Sequence, residues 1–282
     1  MDINNIRKQY DSCDNSIYGR KNIEDSIGVL YHEYSKFTEV GVKVESENIK
    51  KFTSKYMAER SCQPYKIYPG HLSISLDEYR DFQLDISLID TMKNRRSGRI
   101  FDSNYKISLN EISYLLLNSY GITHKEKIKS YELNGHIGFR NIPSAGALYP
   151  LEIYIFVLNS HISSGLYHYR VDNHSLEQLH ISEYSEKLNK VILAEPYVKM
   201  KQASAVIVTT GLIERVIIKY GDRGYRFMMM EAGMVGLSLS LLSESLNLKS
   251  CMLGGYLDDK LNELLGIDGV YETVNNIIVI GK

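Results

Sequence analysis

Short hydrophobic runs recur along this 282-residue chain, and their lengths predict strands. The longest are rich in β-branched residues with few polar ones between them, which is typical of strands buried on both faces. A weaker pair flanks Asp172-Asn173, a dipeptide that favours a turn. The predicted strands are residues 151–158, 166–169, 175–179, 203–210 and 275–280. We therefore expect a central sheet.

Other segments repeat their apolar residues at helical spacing. Ser108 followed by Glu111 forms a capping box, and Ser182 is a second candidate N-cap. The longest candidate helix, Tyr225–Leu246, is apolar nearly all round and contains small residues, so we predict that it is buried. Further helices are predicted over residues 84–92 and 212–219. The chain thus mixes α and β structure, with helices wrapping a sheet.

Length and pattern together predict the domain organisation. A chain of 282 residues fits one large domain with an appendage. Residues 1–88 are polar and mixed and contain the helix breakers Pro64 and Pro69, so we interpret them as a small N-terminal helical appendage that could bind a peptide or a partner. Residues 89–282 form the main domain.

Composition excludes several classes of function. With 33 basic and 34 acidic side chains the net charge is -1, so neither nucleic acid nor a membrane surface is an expected partner. The cysteines, Cys13, Cys62 and Cys251, show neither a disulfide framework nor metal-ligand spacing, and the histidines show no ligand spacing, so no metal is expected. The start of the chain lacks a signal-peptide pattern, and no long apolar run occurs. We expect a cytoplasmic protein.

Arg95-Arg96-Ser97-Gly98-Arg99 is a candidate anion site. Three guanidinium groups and a hydroxyl within five residues can donate charge-assisted hydrogen bonds to phosphate oxygens. The alternative is a solvated basic turn at the end of a helix.

Two small-residue segments are the other candidates. Pro143-Ser144-Ala145-Gly146-Ala147-Leu148-Tyr149-Pro150 places four small residues just before a strand, where the backbone could lie flat against a planar ligand. Gly254-Gly255 leaves bare backbone at the end of another strand, a position that ligands favour in α/β proteins. The alternative in both cases is a plain turn.

In this order and spacing, the three segments resemble the nitroreductase-like flavoproteins over about residues 88–282. The resemblance implies an α+β fold with a mainly antiparallel central sheet, a homodimer, and FMN as cofactor. Arg95, Arg96, Ser97 and Arg99 would hold its phosphate, while Pro143 to Leu148 and Gly254-Gly255 would contact the flavin. FAD is disfavoured because no G-x-G-x-x-G motif follows an early strand. The chain runs only to Lys282 after its last predicted strand, which leaves the dimer interface open.

Further residues are similar to one branch of that family, the McbC-like or SagB-like azoline dehydrogenases. They are Ala147 to Glu152, Gly165 to Tyr169, and Lys219 to Arg226. This branch implies oxidation of thiazolines or oxazolines to azoles during biosynthesis of ribosomally made modified peptides such as bacteriocins. It also implies an azoline-containing precursor peptide and a YcaO-type cyclodehydratase complex as partners. The catalytic pair of the branch matches Lys219 and Tyr220.

Either member of this pair could act as the base. We expect Tyr220 to take the proton and Lys219 to tune it, since a neighbouring ammonium favours the phenolate. The bland alternative is that both residues merely end a helix, where a lysine suits the dipole. Two other functions also remain open: an NAD(P)H-dependent nitro- or quinone-reductase on the same fold, and a non-catalytic FMN-holding subunit of a heterocyclase complex.

Overall fold

The computed structural model describes residues 26–52, 54, 56–57, 65–79, 84, 86–127 and 136–282. The chain divides into two compact units, residues 1–44 and 45–282. In the first unit, helix α1 (Ile27–Tyr34) begins at Ser26, whose side chain accepts a hydrogen bond from the Gly28 N–H. Helix α2 covers Glu39–Lys51.

The second unit contains two β-sheets. Their strands are β1 (Leu72–Ser75), β2 (Ile122–Lys127), β3 (His136–Arg140), β4 (Leu151–Val157), β5 (Gly165–Arg170), β6 (Ser175–Ile181), β7 (Ala205–Leu212), β8 (Lys249–Leu253) and β9 (Glu272–Gly281). The main sheet has seven strands in the order β1-β6-β5-β4-β7-β9-β8, and every neighbouring pair is antiparallel. A separate two-stranded sheet pairs β2 with β3. The predicted α+β class with a mainly antiparallel central sheet is confirmed.

The strand predictions hold because the central strands are covered on both faces. All seven residues of β4 are buried, and β7 is buried except at Leu212. Continuous apolar runs of this kind are what a doubly covered strand needs. The predicted turn at Asp172-Asn173 joins β5 to β6.

Only some helices of this unit begin where the sequence predicts. They are α3 (Leu88–Asn94), α4 (Leu109–Tyr120), α5 (Ser185–Val191), α6 (Glu214–Tyr220), α7 (Arg223–Ser245) and α8 (Asp258–Leu265). The capping box of Ser108 and Glu111 at α4 is confirmed. Two starts were wrong: α3 begins after Ser87, whose side chain accepts from the Asp90 N–H, and α5 begins after Tyr184 instead of Ser182. Ser182 accepts a hydrogen bond from Lys187 instead.

The sheet has a hydrophobic core on each face. Alternate β4 side chains such as Ile153 and Ile155 pack with α4 and α7 on one face, which we call the α7 face. Tyr154 and Phe156 pack with α5 and α8 on the other, the α5/α8 face. Helix α7 is less buried than we predicted, since Met230 is 59% exposed and Leu237 is 53% exposed.

The unit boundary differs from the predicted domain boundary at residue 88. Strand β1 pairs with β6 in the main sheet, and Leu76 just after it is buried in the core. The hydrophobic pattern of the polar N-terminal segment gave no sign of this pairing, because β1 is short and mostly exposed. A separate role for residues 1–88 stays a prediction. Among the described residues, no helix is both long enough and apolar enough to cross a membrane.

Candidate functional site

The segment before β4 and the helix after β7 meet at one edge of the sheet. Leu151, the first residue of β4, pairs with Gly211 near the end of β7. Because the strands are antiparallel, Pro143 to Pro150 and helix α6 both leave the sheet at this edge. The structure therefore brings the small-residue segment beside Lys219 and Tyr220.

Gly146 is the closest point of this contact. Its φ is 62°, in the left-handed region that favours glycine. A Cβ at this position would lie 2.7 Å from Lys219 Nζ and closer still to Tyr220 Oη. Backbone without a side chain therefore faces the polar ends of the predicted catalytic pair.

The backbone around Gly146 is unusual over several residues. Ala147 has φ of 54° and Tyr149 has φ of 45°. Positive φ at residues other than glycine costs free energy and persists only where the surroundings enforce it. Such clusters of strain are typical of functional segments.

Tyr149 and Ser144 hold the segment in this shape. The Tyr149 N–H donates to Ser144 Oγ at 2.9 Å, and Tyr149 Oη accepts from the Arg140 N–H at 3.0 Å. Tyr149 is almost fully buried, so its phenol is a structural anchor. Ser144 also hydrogen-bonds the buried carboxyl of Glu231, whose pKa is raised by burial.

Arg215 ties helix α6 to the same segment. Its guanidinium donates to the Tyr149 carbonyl oxygen at 3.1 Å and pairs with Glu152 at 2.7 Å. Glu152 is buried in β4, and burial alone would raise its pKa; Arg215 and the hydrogen bond from His168 outweigh that and lower the pKa to about 2. An ionised carboxylate is thus fixed beneath the helix that carries Lys219.

The ion pair of Glu152 with Arg215 could not be recognised from the sequence. The only local signal was a carboxylate inside the otherwise apolar run of β4, since buried charges are rarely unpaired. On its other side Glu152 accepts from His168 at 3.0 Å, and His168 also contacts Glu177 at 2.9 Å. From the sequence, His168 has no ligand spacing and therefore no assigned role.

Lys219 and Tyr220 lie in a half-buried apolar environment. Lys219 Nζ is 5.0 Å from the centre of the Phe52 ring and 5.4 Å from that of Tyr220, and the Tyr220 ring meets Phe227 edge-on. Burial lowers the pKa of Lys219 and raises the pKa of Tyr220. These directions oppose our expectation of a Tyr220 phenolate, and they favour the neutral amine of Lys219 as proton acceptor.

The candidate anion site at residues 95–99, which we call the arginine cluster, lies beside β8, away from Lys219 and Tyr220. Ser97 forms a parallel bridge with Ser250 of β8, and the Gly98 N–H donates to the Ser250 carbonyl oxygen at 2.9 Å. A Cβ at Gly98 would lie 2.5 Å from Lys249 Cβ, so only glycine lets the cluster approach β8 this closely. Within the described residues, no carboxylate lies at ion-pair distance from Arg95 or Arg99.

Register shows how far this cluster is from Gly146. Ser250 pairs with Ile280, Ile280 with Ala205, and Ala205 with Val157 at the far end of β4. Strands rise about 3.3 Å per residue, so the length of β4 alone separates the two sites by about 20 Å. One chain therefore does not bring the arginine cluster against the Gly146 segment.

Gly254-Gly255 lies between these two sites. The pair follows β8, whose last residue Leu253 pairs with Ile277, so the chain there runs toward the Gly146 edge. Both glycines are exposed, and a Cβ at Gly254 would meet nothing within 4 Å. The residues present fit FMN in type: guanidiniums with no carboxylate partner in the described part of the chain suit the phosphate, and the open backbone at Gly254 suits a planar ring.

Comparison with known proteins supports the resemblance. Residues 92–282 match the model of the Nitroreductase family. A Methanocaldococcus jannaschii protein named as a nitroreductase is 33% identical over 184 residues, which cover 65% of this chain and 86% of that protein. The Escherichia coli microcin B17-processing protein McbC is 26% identical over 188 residues, covering 65% of this chain and 64% of McbC. The Rhizobium leguminosarum trifolitoxin-processing protein TfxB is 26% identical over 176 residues, covering 61% of this chain and 47% of TfxB.

Solved structures show the same fold. A nitroreductase from Anabaena variabilis superposes with a TM-score of 0.69 at 24% identity, covering 90% of this chain and 46% of that one. A chain of the E. coli microcin synthetase McbBCD complex with truncated pro-MccB17 bound superposes with a TM-score of 0.55 at 19% identity, covering 88% of this chain and 98% of that one. The family match spans strands β4 to β9 of the main sheet, the arginine cluster, and Lys219 with Tyr220, and so this chain belongs to the nitroreductase family, whose members are oxidoreductases.

Proposed function

We propose that this protein is an FMN-dependent dehydrogenase that oxidises peptide thiazolines or oxazolines to azoles, in the biosynthesis of a ribosomally made modified peptide of the bacteriocin type. The observation that carries the proposal is the contact of Gly146 with Lys219 and Tyr220. It places an apolar-shielded amine and a phenol directly at the backbone segment proposed to lie along the flavin. Similarity to McbC and TfxB, both peptide-processing proteins by name, supports the choice of substrate.

FMN would be held by two groups of residues. Arg95, Arg96, Ser97 and Arg99 would bind its phosphate through charge-assisted hydrogen bonds. Pro143 to Leu148 and Gly254-Gly255 would present backbone to its ring. A Cβ at Gly254 would meet nothing within 4 Å, whereas the space beside Gly146 is filled by Lys219 and Tyr220, which the ring would border. The two groups are far apart in one chain, so a homodimer in which each chain supplies part of the site is part of the proposal.

Oxidation of an azoline to an azole removes two electrons and two protons. Bound FMN would supply the acceptor for a hydride from the ring carbon, and molecular oxygen would be the final oxidant. The chain must then accept the remaining proton. We assign this to Lys219, whose pKa burial lowers, and assign Tyr220 as a neutral phenol that positions the ring by hydrogen bonding.

Two structural features prepare Lys219 for that role. The side chain of Lys219 is half-buried, and this burial lowers its pKa although the faces of the Phe52 and Tyr220 rings attract a cation. Arg215, one helical turn before Lys219, is fixed by Glu152 and by the Tyr149 carbonyl oxygen. The amine and the small-residue segment are therefore held by one buried ion pair.

Partners follow from the same proposal. The substrate would be an azoline-containing precursor peptide, made by a YcaO-type cyclodehydratase complex in the cytoplasm. A protein of the same fold is a chain of the microcin synthetase McbBCD complex, which was solved with truncated pro-MccB17 bound, and this supports a complex as partner. The chain spans less than two thirds of McbC and about half of TfxB. The exposed Met230 and Leu237 on α7 suit a subunit interface.

An NAD(P)H-dependent nitro- or quinone-reductase is the second candidate. It is favoured by the relative from M. jannaschii, which is named as a nitroreductase and is more similar in sequence than McbC. Both functions use one fold and one cofactor, so only the reaction separates them.

The test uses the full chain loaded with FMN. A synthetic peptide carrying one thiazoline is incubated aerobically, and mass spectrometry follows the loss of two hydrogens. In parallel, flavin absorbance is followed anaerobically after adding either this peptide or NADPH. Bleaching by the peptide with thiazole formation supports the proposal. Rapid bleaching by NADPH, with no thiazole formed from the peptide, identifies a reductase instead.

A further inference from the structure

A cavity lies on the α5/α8 face of the sheet, away from Lys219. It has a volume of about 720 Å³, within the usual range of ligand pockets. Its floor contains apolar residues of β5, β6 and the two helices, namely Leu166, Leu179, Val191, Leu264 and Leu265. The sheet itself separates this cavity from the α7 face, against which Tyr220 and Ala147 pack. It is therefore a different site.

The rim of this cavity is basic. Lys187 and Lys190 on α5 and Lys260 on α8 line it, against a single acidic residue, Glu263. None of these three lysines forms an ion pair with a carboxylate in the described part of the chain. Nearby Lys201 differs, since it pairs with Glu186. The cavity thus combines an apolar floor with uncompensated positive charge.

Lys187 and Lys190 are spaced to meet more than one acidic group. Residues three apart on a helix lie about 5–6 Å apart at Cβ on one face. Lys260 faces the same cavity from a second helix. A ligand with a single carboxylate would leave part of this charge unmatched, whereas one with two acidic groups around an apolar centre would fit it.

Hydrogen-bonding aromatic groups complete the wall. Tyr184 Oη and His180 Nδ1 lie 3.3 Å apart, and Lys187 Nζ is 5.0 Å from the centre of the Tyr184 ring. Tyr68 stacks edge-on against His168, with ring centres 5.1 Å apart. Polar groups spaced along an open cavity suit a peptide better than a plain hydrocarbon chain.

We propose that this cavity binds a peptide segment in which two acidic residues flank large apolar ones, and that it holds the substrate peptide at a distance from the reacting ring. The choice of a peptide as occupant rests on the proposed function. The apolar side chains occupy the floor, and the acidic groups reach Lys187, Lys190 and Lys260. The cavity serves affinity and selectivity for the peptide and takes no part in the oxidation.

The experiment measures binding to the FMN-loaded full chain by anisotropy of a dye-labelled peptide, acetyl-Asp-Leu-Phe-Asp. The expected result is saturable binding that weakens with salt, with at least about tenfold weaker binding for the Asn-Leu-Phe-Asn analogue. Replacing the three lysines together (Lys187→Gln, Lys190→Gln, Lys260→Gln) is expected to remove that preference. Dodecanoate competing as well as the peptide, or equal binding of the acidic and amide peptides, overturns the proposal.

Two controls separate this site from the proposed function. A triple variant with the same change of charge elsewhere (Lys106→Gln, Lys125→Gln, Lys127→Gln) is expected to keep the preference for the acidic peptide. Oxidation of a short thiazoline substrate without acidic residues is expected to be unchanged by the cavity variant. Failure of the binding experiment with intact oxidation rejects the cavity proposal alone, whereas absent oxidation with intact binding rejects the proposed reaction alone.

Discussion

Gly146 lies so close to Tyr220 that any side chain at position 146 would collide with the phenol oxygen, and the same side chain would lie 2.7 Å from Lys219 Nζ. The segment before β4 and helix α6 after β7 meet here, because the first residue of β4 pairs with a residue near the end of β7. Position 146 therefore controls the space between the proposed flavin segment and the proposed base.

Gly146→Ala is expected to impair the enzyme for two reasons. The added methyl displaces Lys219 and Tyr220, and the left-handed backbone costs alanine about 1–2 kcal/mol. Misplacing a reacting group by about 1 Å can cost about a hundredfold in rate, which is the loss expected in kcat. The matched control is Gly70→Ala in an exposed turn, where the backbone is also left-handed (φ 84°) but a Cβ meets nothing within 4 Å, so that stability falls while kcat is kept. Equal activity of both variants contradicts the assignment of this contact.

The dependence of kcat/KM on pH, measured for variants, shows whether Lys219 or Tyr220 is the base. If Lys219 is the base, kcat/KM rises with pH as its amine loses a proton, with an apparent pKa below the ordinary 10.5 because burial favours the neutral form. Tyr220→Phe is expected to lower the rate and keep this rise. Lys219→Ala is expected to lose about a hundredfold or more and the rise itself, and Lys219→Arg should not restore it, since arginine stays charged. A rise kept in Lys219→Ala and lost in Tyr220→Phe identifies Tyr220 as the base.

Arg215 and Glu152 are expected to contribute to stability, because the buried carboxylate of Glu152 would keep His168 but lose its pairing with Arg215. Arg215→Gln should lower the free energy of unfolding by about 1.5–3 kcal/mol, measured by urea denaturation. Combining it with Glu152→Gln is expected to recover part of the loss. Lys199→Gln breaks the more exposed pair with Glu195 and should cost no more than about 1 kcal/mol. A similar cost for Arg215→Gln and Lys199→Gln argues against the anchoring role.

Local features of this fold could be predicted from the sequence. The capping box of Ser108 and Glu111 and the doubly buried strand β4 need only neighbouring residues to specify them, and both are present. The start of α5 was missed because Ser182 offered a plausible cap, whereas the helix begins after a tyrosine that makes no side-chain capping bond. Such boundaries depend on tertiary packing that no local pattern encodes.

The candidate site was only partly predictable for a similar reason. Its motifs could be recognised in the sequence, but the meeting of Gly146 with Tyr220 depends on the register of β4 against β7. Glu152 finds Arg215 across the same edge, and His168 across the pairing of β4 with β5. Charged groups that pair over a long distance in the sequence leave no periodic signal there. The pairing of Glu152 with Arg215 and His168 could therefore be recognised only in the structure.

The arginine cluster is expected to bind the phosphate of FMN and no other part of it. Changing Arg95, Arg96 and Arg99 together to Gln should weaken FMN binding by at least about tenfold, since hydrogen bonds to charged groups contribute about 1.5–3 kcal/mol each. Riboflavin has the same ring without the phosphate, so its affinity should be unchanged and it serves as the matched control. Fluorescence titration measures both ligands. Equal weakening for FMN and riboflavin would show that the cluster acts on folding or on the ring.

His168 is expected to make stability depend on pH in a defined direction. Burial lowers the pKa of His168, but its hydrogen bonds with Glu152 and Glu177 outweigh this and raise the pKa above the ordinary 6.5. A raised pKa in the folded state stabilises the protein fully below about pH 6.5, and that contribution is lost as the pH rises through the folded value. Arg215 and Arg170 pair with the same carboxylates, so the three basic groups form one coupled network with Glu152 and Glu177.

The measurement is the free energy of unfolding in urea between about pH 6 and about pH 9, for the native protein and for His168→Gln. The native protein should lose stability relative to the variant across this range, because glutamine does not titrate; the lowered pKa of Lys219 acts in the opposite direction at alkaline pH but is common to both proteins. Glu152 contributes in the opposite direction and only in acid, where its stabilisation is lost as the pH falls from 4.5 toward about 2, so it does not disturb the comparison. A variant profile as steep as the native one shows that a group other than His168 titrates.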